Sequence, residues 1–152
     1  MRNIYFMIAP LGAGKTSICN ILKEEYNIKF NEYNSSFTTE QIDENDLYII
    51  SPAGSETFRA FYKGDKQFKI IYIKSDITTR YERMRFRSQK SGKQYLEAVE
   101  ESLNRIVHDS AKFYKYEHEE TPIDLVVNNG WNDDIPHVAE QIYRFIEQCE
   151  KA

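Results

Sequence analysis

The chain has 152 residues, of which 41% are hydrophobic and 29% charged, and its formal net charge is −4. This length holds one hydrophobic core and is too short for two ordinary domains, so we expect a single domain over residues 1–152. The negative charge disfavours nucleic acid as the main partner.

A membrane location and a disulfide framework are also not expected. No segment approaches the roughly 20 apolar residues that a membrane-spanning helix needs, and the apolar N-terminal stretch lacks the cleavage pattern of a signal peptide. The two cysteines, Cys19 and Cys149, lie at apolar helical positions and are predicted to be free thiols. The three histidines show no metal-ligand spacing with them. We therefore expect a cytoplasmic protein without a zinc site.

Residues 4–16, IYFMIAPLGAGKT, place a short apolar strand directly before a glycine-rich turn that ends in Lys-Thr. A phosphate-binding loop uses glycines to turn backbone N–H groups inward, a lysine to reach the outer phosphates and a threonine hydroxyl to bind Mg²⁺. The motif spans residues 9–16 and has Ala9 where its consensus has glycine. The residues predicted to bind the nucleotide phosphates are Leu11, Gly12, Ala13, Gly14, Lys15, Thr16 and Ser17, and Thr16 is also the predicted metal ligand.

The next elements follow in chain order. A helix is predicted over residues 15–26, where apolar residues share one helical face. A short second strand is predicted over 28–33, and the polar stretch 35–46 has Ser/Thr capping signals for a short helix. A third strand is predicted over 47–50 and is ended by a loop at 51–54.

The second half of the chain repeats this alternation. Its predicted elements are a strand at 69–73, a helix at 77–86, a polar turn at 88–93, a helix at 94–116, a strand at 123–127 and a helix that starts near Pro136. The helix at 94–116 is predicted from one apolar stripe at helical period, formed by Leu96, Val99, Leu103, Ile106, Val107, Phe113 and Tyr114. The final helix has a similar stripe of Ile135, Val138, Ile142, Ile146 and Cys149.

Apolar strands that alternate with helices predict an α/β fold with a mainly parallel five-stranded sheet between helical layers. Ligands of such sheets bind beyond the carboxyl ends of the strands. The phosphate loop, the region of Glu32, residues 51–54 and residues 128–130 are therefore expected to share one rim.

The stretch after the fourth strand, KSDITTRYERMRFRSQK, contains four arginines within eight residues. On a helix, Arg80, Arg83 and Arg87 fall within about 60° of one another, while Arg85 points elsewhere. Planar guanidinium groups bind phosphate oxygens in pairs, and phosphoryl transfer needs positive charge around both phosphates. We interpret the three-arginine face as a phosphate-binding surface; a solvated face paired with neighbouring glutamates is the alternative.

At this point the chain resembles the nucleoside monophosphate kinase branch of the P-loop kinases, and guanylate kinases most closely. APLGAGKT is similar to the guanylate kinase loop. KIIYIKSDITTRYERMRFR looks like the strand and arginine-bearing helix at the start of that family's lid. SLNRIVHDSAKFY followed by IDLVVNNG is similar to its helix with an inward arginine and its last strand.

This resemblance implies the three-layer P-loop fold, with ATP as the phosphate donor and Mg²⁺ as its metal. It implies that Lys15 contacts the phosphates, that the lid at about 80–94 supplies its arginines, and that Arg105 reaches into the cleft. It also implies that residues 128–130, and so Asn128 and Asn129, lie near the adenine ring. For Arg105, a surface ion pair with Asp109 remains an equal alternative.

The chain departs from guanylate kinases on the acceptor side. Only a much reduced acceptor lobe, at about residues 31–46, fits between the phosphate loop and the third strand, and no carboxylate stands at the end of that strand. Glu32 is the best substitute, because small-molecule kinases of this fold often place an acid there to orient an acceptor hydroxyl. The alternative is that Glu32 is an ordinary loop glutamate.

These observations predict a phosphotransferase that moves the γ-phosphoryl group of ATP to a nucleoside monophosphate. The predicted catalytic residues are Lys15, Glu32, Arg80, Arg83, Arg87 and Arg105. Two alternatives stay open: a kinase for a small molecule that is not a nucleotide, and a nucleotide-binding module without phosphotransfer. No membrane or nucleic-acid partner is expected, and the sequence does not indicate an oligomeric state.

Overall fold

The computed structural model describes residues 2–33 and 46–152 and contains one five-stranded sheet. Its strands are β1 (Asn3–Ile8), β2 (Phe30–Glu32), β3 (Leu47–Ile49), β4 (Gln67–Lys74) and β5 (Leu125–Asn128). They lie in the order β2-β3-β1-β4-β5, and every neighbouring pair is parallel. The predicted α/β fold with a parallel five-stranded sheet is confirmed.

Helices cover both faces of this sheet. They are α1 (Lys15–Tyr26), α2 (Pro52–Phe61), α3 (Ile77–Lys90), α4 (Tyr95–Ser110), α5 (Tyr114–Glu117) and α6 (Ile135–Lys151), with a 3₁₀ turn at Ala111–Phe113 between α4 and α5. Because side chains alternate along a strand, Tyr5 and Met7 of the central strand β1 pack under α1 and α6. Phe6 and Ile8 point to the opposite face, where they pack with residues of α2 and α5.

The predicted helix over residues 15–26 and the final helix are confirmed. α1 has the predicted bounds, and its buried residues Ile18, Cys19 and Leu22 face the sheet. α6 buries Val138 and Ile142, as its stripe predicts. Both cysteines are free, and Cys19 is buried while Cys149 is half-buried.

Residues 51–54, predicted as a loop, are in fact the start of a helix. The side chain of Ser51 accepts a hydrogen bond from the backbone N–H of Gly54 at 3.0 Å, and Pro52 occupies the first turn of α2. The Ser-Pro pair that suggests a turn is equally a helix start, since proline has no N–H to leave unpaired there. The helix predicted over 77–86 also continues further, to Lys90.

The long helix predicted over 94–116 is wrong in two respects. It ends at Ser110 and gives way to the 3₁₀ turn and α5. Its packing face is formed by Ala98, Ser102 and Ile106, while Leu96 and Val107 of the predicted stripe are 78% and 69% exposed. Small side chains at i and i+4 let α4 approach α3 closely, and this turns the larger apolar side chains toward solvent.

Two remaining sequence predictions concern the acceptor side and membranes. The short helix predicted at 35–46, and with it most of the proposed acceptor lobe at 31–46, lies outside the described residues. Within 2–33 and 46–152, no helix combines the length and the apolar character that crossing a membrane requires.

Candidate functional site

The phosphate loop joins β1 to α1 at the carboxyl end of the central strand. Its turn is closed by a hydrogen bond from the N–H of Ala13 to the carbonyl of Pro10 at 3.1 Å. Gly12 and Gly14 have φ values of 82° and 91°, a region that L side chains rarely adopt. Helix α1 begins immediately afterwards at Lys15, so its N-terminal N–H groups and positive dipole end face the loop.

Both glycines also lack the space for a side chain. A Cβ on Gly12 would lie 2.7 Å from the backbone oxygen of Arg80, and a Cβ on Gly14 would lie 2.5 Å from the amide nitrogen of Asn129. The start of α3 and the end of β5 therefore pack directly against the loop. Thr16 and Ser17 are exposed at the start of α1, and this leaves their hydroxyls accessible to a bound metal or phosphate.

Arg83 connects three segments of this rim. One terminal nitrogen donates to the carbonyl of Gly12 at 3.1 Å, and the other donates to the carbonyls of Asn129 and Gly130 at 3.0 and 3.2 Å. Burial lowers the pKa of its guanidinium, and the nearby carboxylates Asp76 and Asp133 oppose that shift. Here the predicted lid arginine ties the phosphate loop to the end of β5 through backbone carbonyls.

Asn129 is fully buried beneath the loop. Its amide nitrogen donates to the carbonyl of Ala13 at 2.7 Å, and its own N–H donates to the carbonyl of Lys74. Its neighbour Asn128 is exposed and lines a cavity of about 340 Å³ beside Asp76 and Gly130. Of the two asparagines predicted near the adenine ring, Asn128 therefore faces open space and Asn129 supports the loop.

Arg80 is only 3% exposed, although the sequence places it on the arginine face. Its Nε donates to the carbonyl of Ser75 at 3.2 Å, and one terminal nitrogen is buried without a hydrogen-bond partner among residues 2–33 and 46–152. Its backbone packs against Gly12. In this structure Arg80 and Arg83 lie under and beside the loop, and Arg87 alone of the predicted face is exposed.

Arg87 and Arg105 line one cavity of about 230 Å³ between α3 and α4, next to Leu11 of the phosphate loop. Lys93 also lines it and is paired with Glu101. Among the residues that the structure describes, Arg105 forms no ion pair with Asp109. The arrangement brings two of the predicted arginines to the edge of the phosphate loop from two different helices.

A second cavity of about 230 Å³ lies on the β2 and β3 side of the loop. It is lined by Lys15 and Glu32 together with Tyr33, Ser51 and Asp109, and also by Ala9, Ile49, Ile50, Lys112 and Phe113. The two predicted catalytic residues Lys15 and Glu32 therefore line the same space, although they lie 17 positions apart in the sequence. The cavity is lined by two cationic and two acidic side chains.

Among the residues that the structure describes, Asp109 is a carboxylate of this cavity that the sequence did not assign to it. Its Oδ2 accepts a hydrogen bond from the N–H of Leu11 at 2.8 Å. From the sequence, Asp109 is expected only as a possible ion-pair partner of Arg105. One signal was available: an acidic residue in the last turn of a helix is unfavourable for the helix dipole and needs a compensating donor.

The residues present fit a nucleotide phosphate chain. The loop combines positive-φ glycines, a helix N-terminus, Lys15 and an exposed Thr16, and nothing bulkier than glycine fits at Gly12 or Gly14. The described residues contain no cluster of three or more His, Cys, Asp or Glu side chains that could hold a metal ion by themselves. A metal at Thr16 would therefore share its coordination with phosphate oxygens and water.

Comparison with known proteins identifies the class of fold. No protein-family model matches the chain, and no curated protein matches it either. Among solved structures, a shikimate kinase from Bacteroides thetaiotaomicron has a TM-score of 0.57 at 14% identity and covers 95% of this chain and 98% of its own. A gluconokinase from Sinorhizobium meliloti 1021 has a TM-score of 0.57 at 10% identity, and the match covers 99% of this chain and 94% of the gluconokinase chain.

A third structure, an uncharacterized protein from Eubacterium ventriosum ATCC 27560, has a TM-score of 0.59 at 14% identity and covers 97% of this chain and 99% of its own. The fold is thus that of the P-loop kinases. At such low identity these likenesses establish the fold alone. The two neighbours with a named activity are a shikimate kinase and a gluconokinase, so the narrower resemblance to guanylate kinases stays a prediction.

Proposed function

We propose that the protein is an ATP-dependent phosphotransferase that moves the γ-phosphoryl group to a small acceptor held between Glu32 and the phosphate loop. The observation that carries this proposal is the shared cavity of Lys15 and Glu32. A lysine of a phosphate loop and a carboxylate facing one small space can hold a donor phosphate and an acceptor group within reach of each other. The free thiols of Cys19 and Cys149 suit a reducing, cytoplasmic location.

In the proposed reaction, the bond between the γ-phosphorus and the β,γ-bridging oxygen breaks as a bond forms from an acceptor oxygen. Lys15 and the N–H groups at the start of α1 stabilise the charge on the phosphate oxygens, and Arg87 and Arg105 approach the same loop from the side of α3 and α4. Mg²⁺ held at Thr16 would neutralise part of the phosphate charge. For a hydroxyl acceptor, the proton passes to the Glu32 carboxylate.

Two acceptor classes are consistent with this site. The resemblance to guanylate kinases favours a nucleoside monophosphate, whose phosphate oxygen has no proton to lose. The neighbours with a named activity are a shikimate kinase and a gluconokinase, and neither is named for a nucleotide acceptor. Glu32 favours a hydroxyl acceptor, because a carboxylate removes a hydroxyl proton but repels a phosphate dianion.

The test is ADP production from Mg²⁺-ATP with two acceptor panels, one of ribo- and deoxynucleoside monophosphates and one of polyols and sugar acids. The variant Lys15→Ala should reduce turnover at least 100-fold, while Lys23→Ala, an exposed lysine on the same helix, should leave it unchanged. With a hydroxyl acceptor, Glu32→Gln should lower kcat about 10²- to 10⁴-fold while ATP binding persists. Glu25→Gln on α1 is its matched control.

Each outcome is informative. Turnover with a nucleoside monophosphate and a small effect of Glu32→Gln would establish the nucleotide kinase of the sequence resemblance. Turnover with a hydroxyl acceptor and a large effect would establish the small-molecule kinase. ATP binding without turnover across both panels would contradict the proposal and leave a nucleotide-binding module.

A further inference from the structure

Asp109 makes a contact between α4 and the phosphate loop that the proposed reaction does not yet use. Its carboxylate accepts the N–H of Leu11 at 2.8 Å, across 98 residues of sequence. The position at the end of α4 places a negative charge beside the negative end of the helix dipole, which by itself is unfavourable. The backbone donor of Leu11 compensates for that charge.

The last turn of α4 itself carries few buried apolar side chains. Its last buried apolar side chain is Ile106, whereas Leu103 and Val107 are 47% and 69% exposed. Apolar packing resumes at Phe113 of the following 3₁₀ turn, which is buried in the core. The hydrogen bond from Leu11 to Asp109 is the described polar link that fixes this end of the helix to the phosphate loop.

The same helix presents Arg105 to the loop. Arg105 precedes Asp109 by four residues, so the two side chains lie on one face of α4, with Cβ atoms about 6 Å apart. Arg105 lines the cavity that Leu11 also lines, and Asp109 lines the Lys15–Glu32 cavity. Helix α4 thus contributes a side chain to both cavities.

We propose that Asp109 is a positioning residue that, by binding the N–H of Leu11, holds Arg105 at the edge of the phosphate loop for phosphoryl transfer. This inference rests on the proposed function. The hydrogen-bond acceptor is the feature required of Asp109, and its charge is not. Asp109→Asn retains an acceptor oxygen for Leu11, and Asp109→Ala removes it.

The kinetic test compares Asp109→Asn, Asp109→Ala, Arg105→Ala and the double variant with the wild type, with Glu100→Ala on the exposed face of α4 as control. Asp109→Ala should lower kcat about 10- to 100-fold with an ATP KM within about threefold of the wild type, because the arginine is displaced while the phosphate loop remains. Asp109→Asn should retain at least a third of the wild-type kcat. The double variant should be no slower than Arg105→Ala.

Three kinetic results would overturn the proposal: an unchanged kcat in Asp109→Ala, an Asp109→Asn as slow as Asp109→Ala, or multiplicative losses in the double variant. The last result would show that Asp109 acts independently of Arg105. Amide hydrogen exchange is a second test of the proposal, and it needs no substrate. Asp109→Ala should speed exchange in the loop at residues 9–13 and in α4 at residues 101–107, and Asp109→Asn should not.

The exchange test separates the two ways in which the kinetics could fail. If the wild type turns over no acceptor, the proposed function fails. In that case, faster amide exchange in Asp109→Ala but not in Asp109→Asn would still support the hydrogen bond from Leu11 to Asp109 as the link between the loop and α4. Unchanged exchange in both segments of Asp109→Ala would overturn that link.

Discussion

At the scale of single residues, the arginines of α3 divide into different roles than their common helical face suggests. Arg83 donates to three backbone carbonyls from the phosphate loop and the end of β5. Within the described part of the chain, Arg87 donates to no backbone carbonyl of the loop, and it lines the cavity beside Leu11. Their sequence spacing places Arg83 and Arg87 on one face of α3. How deeply each side chain is buried, however, depends on how closely that part of α3 approaches the phosphate loop.

This division predicts different phenotypes for the two arginines. Arg83→Ala should lower the free energy of unfolding by about 2–4 kcal/mol, because three part-buried carbonyls lose a charged donor. Arg83→Lys should recover only part of this loss, since an ammonium group cannot reproduce the forked geometry. Arg87→Ala should leave stability within about 0.5 kcal/mol of the wild type and lower kcat.

Urea unfolding of these variants, with Arg85→Ala on the same helix as control, measures their free energies of unfolding. Arg85 pairs with Glu82 of its own helix and donates to no backbone carbonyl of the loop in the described residues, so its loss should destabilise the protein less than the loss of Arg83. Equal destabilisation by Arg83→Ala and Arg85→Ala would contradict the role assigned to Arg83.

At the scale of elements, capping residues decide where the helices of the rim begin. Asp76 caps α3: one carboxylate oxygen accepts the N–H of Thr79 at 3.0 Å and the other accepts its hydroxyl at 2.7 Å. These hydrogen bonds from Thr79 hold the pKa of Asp76 below its usual value. Because α3 carries Arg80, Arg83 and Arg87, this cap sets the position of the whole arginine face.

Asp76→Ala should therefore destabilise the protein by about 1 kcal/mol, whereas Asp76→Asn, also a good N-cap residue, should cost much less. A carboxylate with a lowered folded-state pKa contributes stability that is full above its unfolded value near 3.8 and is lost as pH falls through the folded value. Thermal unfolding at neutral and at acid pH measures both effects.

The exposed Thr78→Ala is the control for this cap. If Asp76→Ala were as stable as Thr78→Ala at neutral pH, then packing of α3 on the loop, and not its cap, would set the start of the helix.

At the scale of the whole molecule, the core contains protonated groups that resist ionisation. Burial is the main cause that raises the pKa of the Cys19 thiol from 9.0 to about 12. Burial also raises the pKa of the hydroxyls of Tyr5 and Tyr72, with further contributions from hydrogen bonds to Glu150 and Glu117. Folding therefore favours the neutral form of all three.

Stability should consequently decline in alkaline solution. The contribution of a group with a raised pKa is full below its unfolded value, near 9.0 for Cys19, and is lost as pH rises toward 12. We expect the free energy of unfolding to fall above about pH 9, and to fall less steeply in Cys19→Ala, whose lower overall stability does not affect the slope. Urea unfolding at a series of pH values measures how steeply the free energy of unfolding falls in each protein. If it fell equally steeply in the wild type and in Cys19→Ala, groups other than Cys19 would cause the alkaline loss of stability.

The sequence by itself determined the fold class, the five strands, the phosphate loop and the bounds of α1. Apolar runs, helical periods and the glycine spacing of the loop are local patterns, and local patterns define local structure. The parallel sheet follows because every apolar strand is separated from the next by a helix or a long connection.

Only the tertiary structure decided which side of α4 is buried, which arginines reach the phosphate loop and which carboxylate binds it. Ala98 and Ser102 form the contact of α4 because small residues permit close helix packing, a property that a hydrophobic stripe does not report. The contacts of Asp109 with Leu11 and of Arg83 with Gly12 join residues 98 and 71 positions apart. Such contacts depend on how the layers pack, and no spacing within one element encodes them.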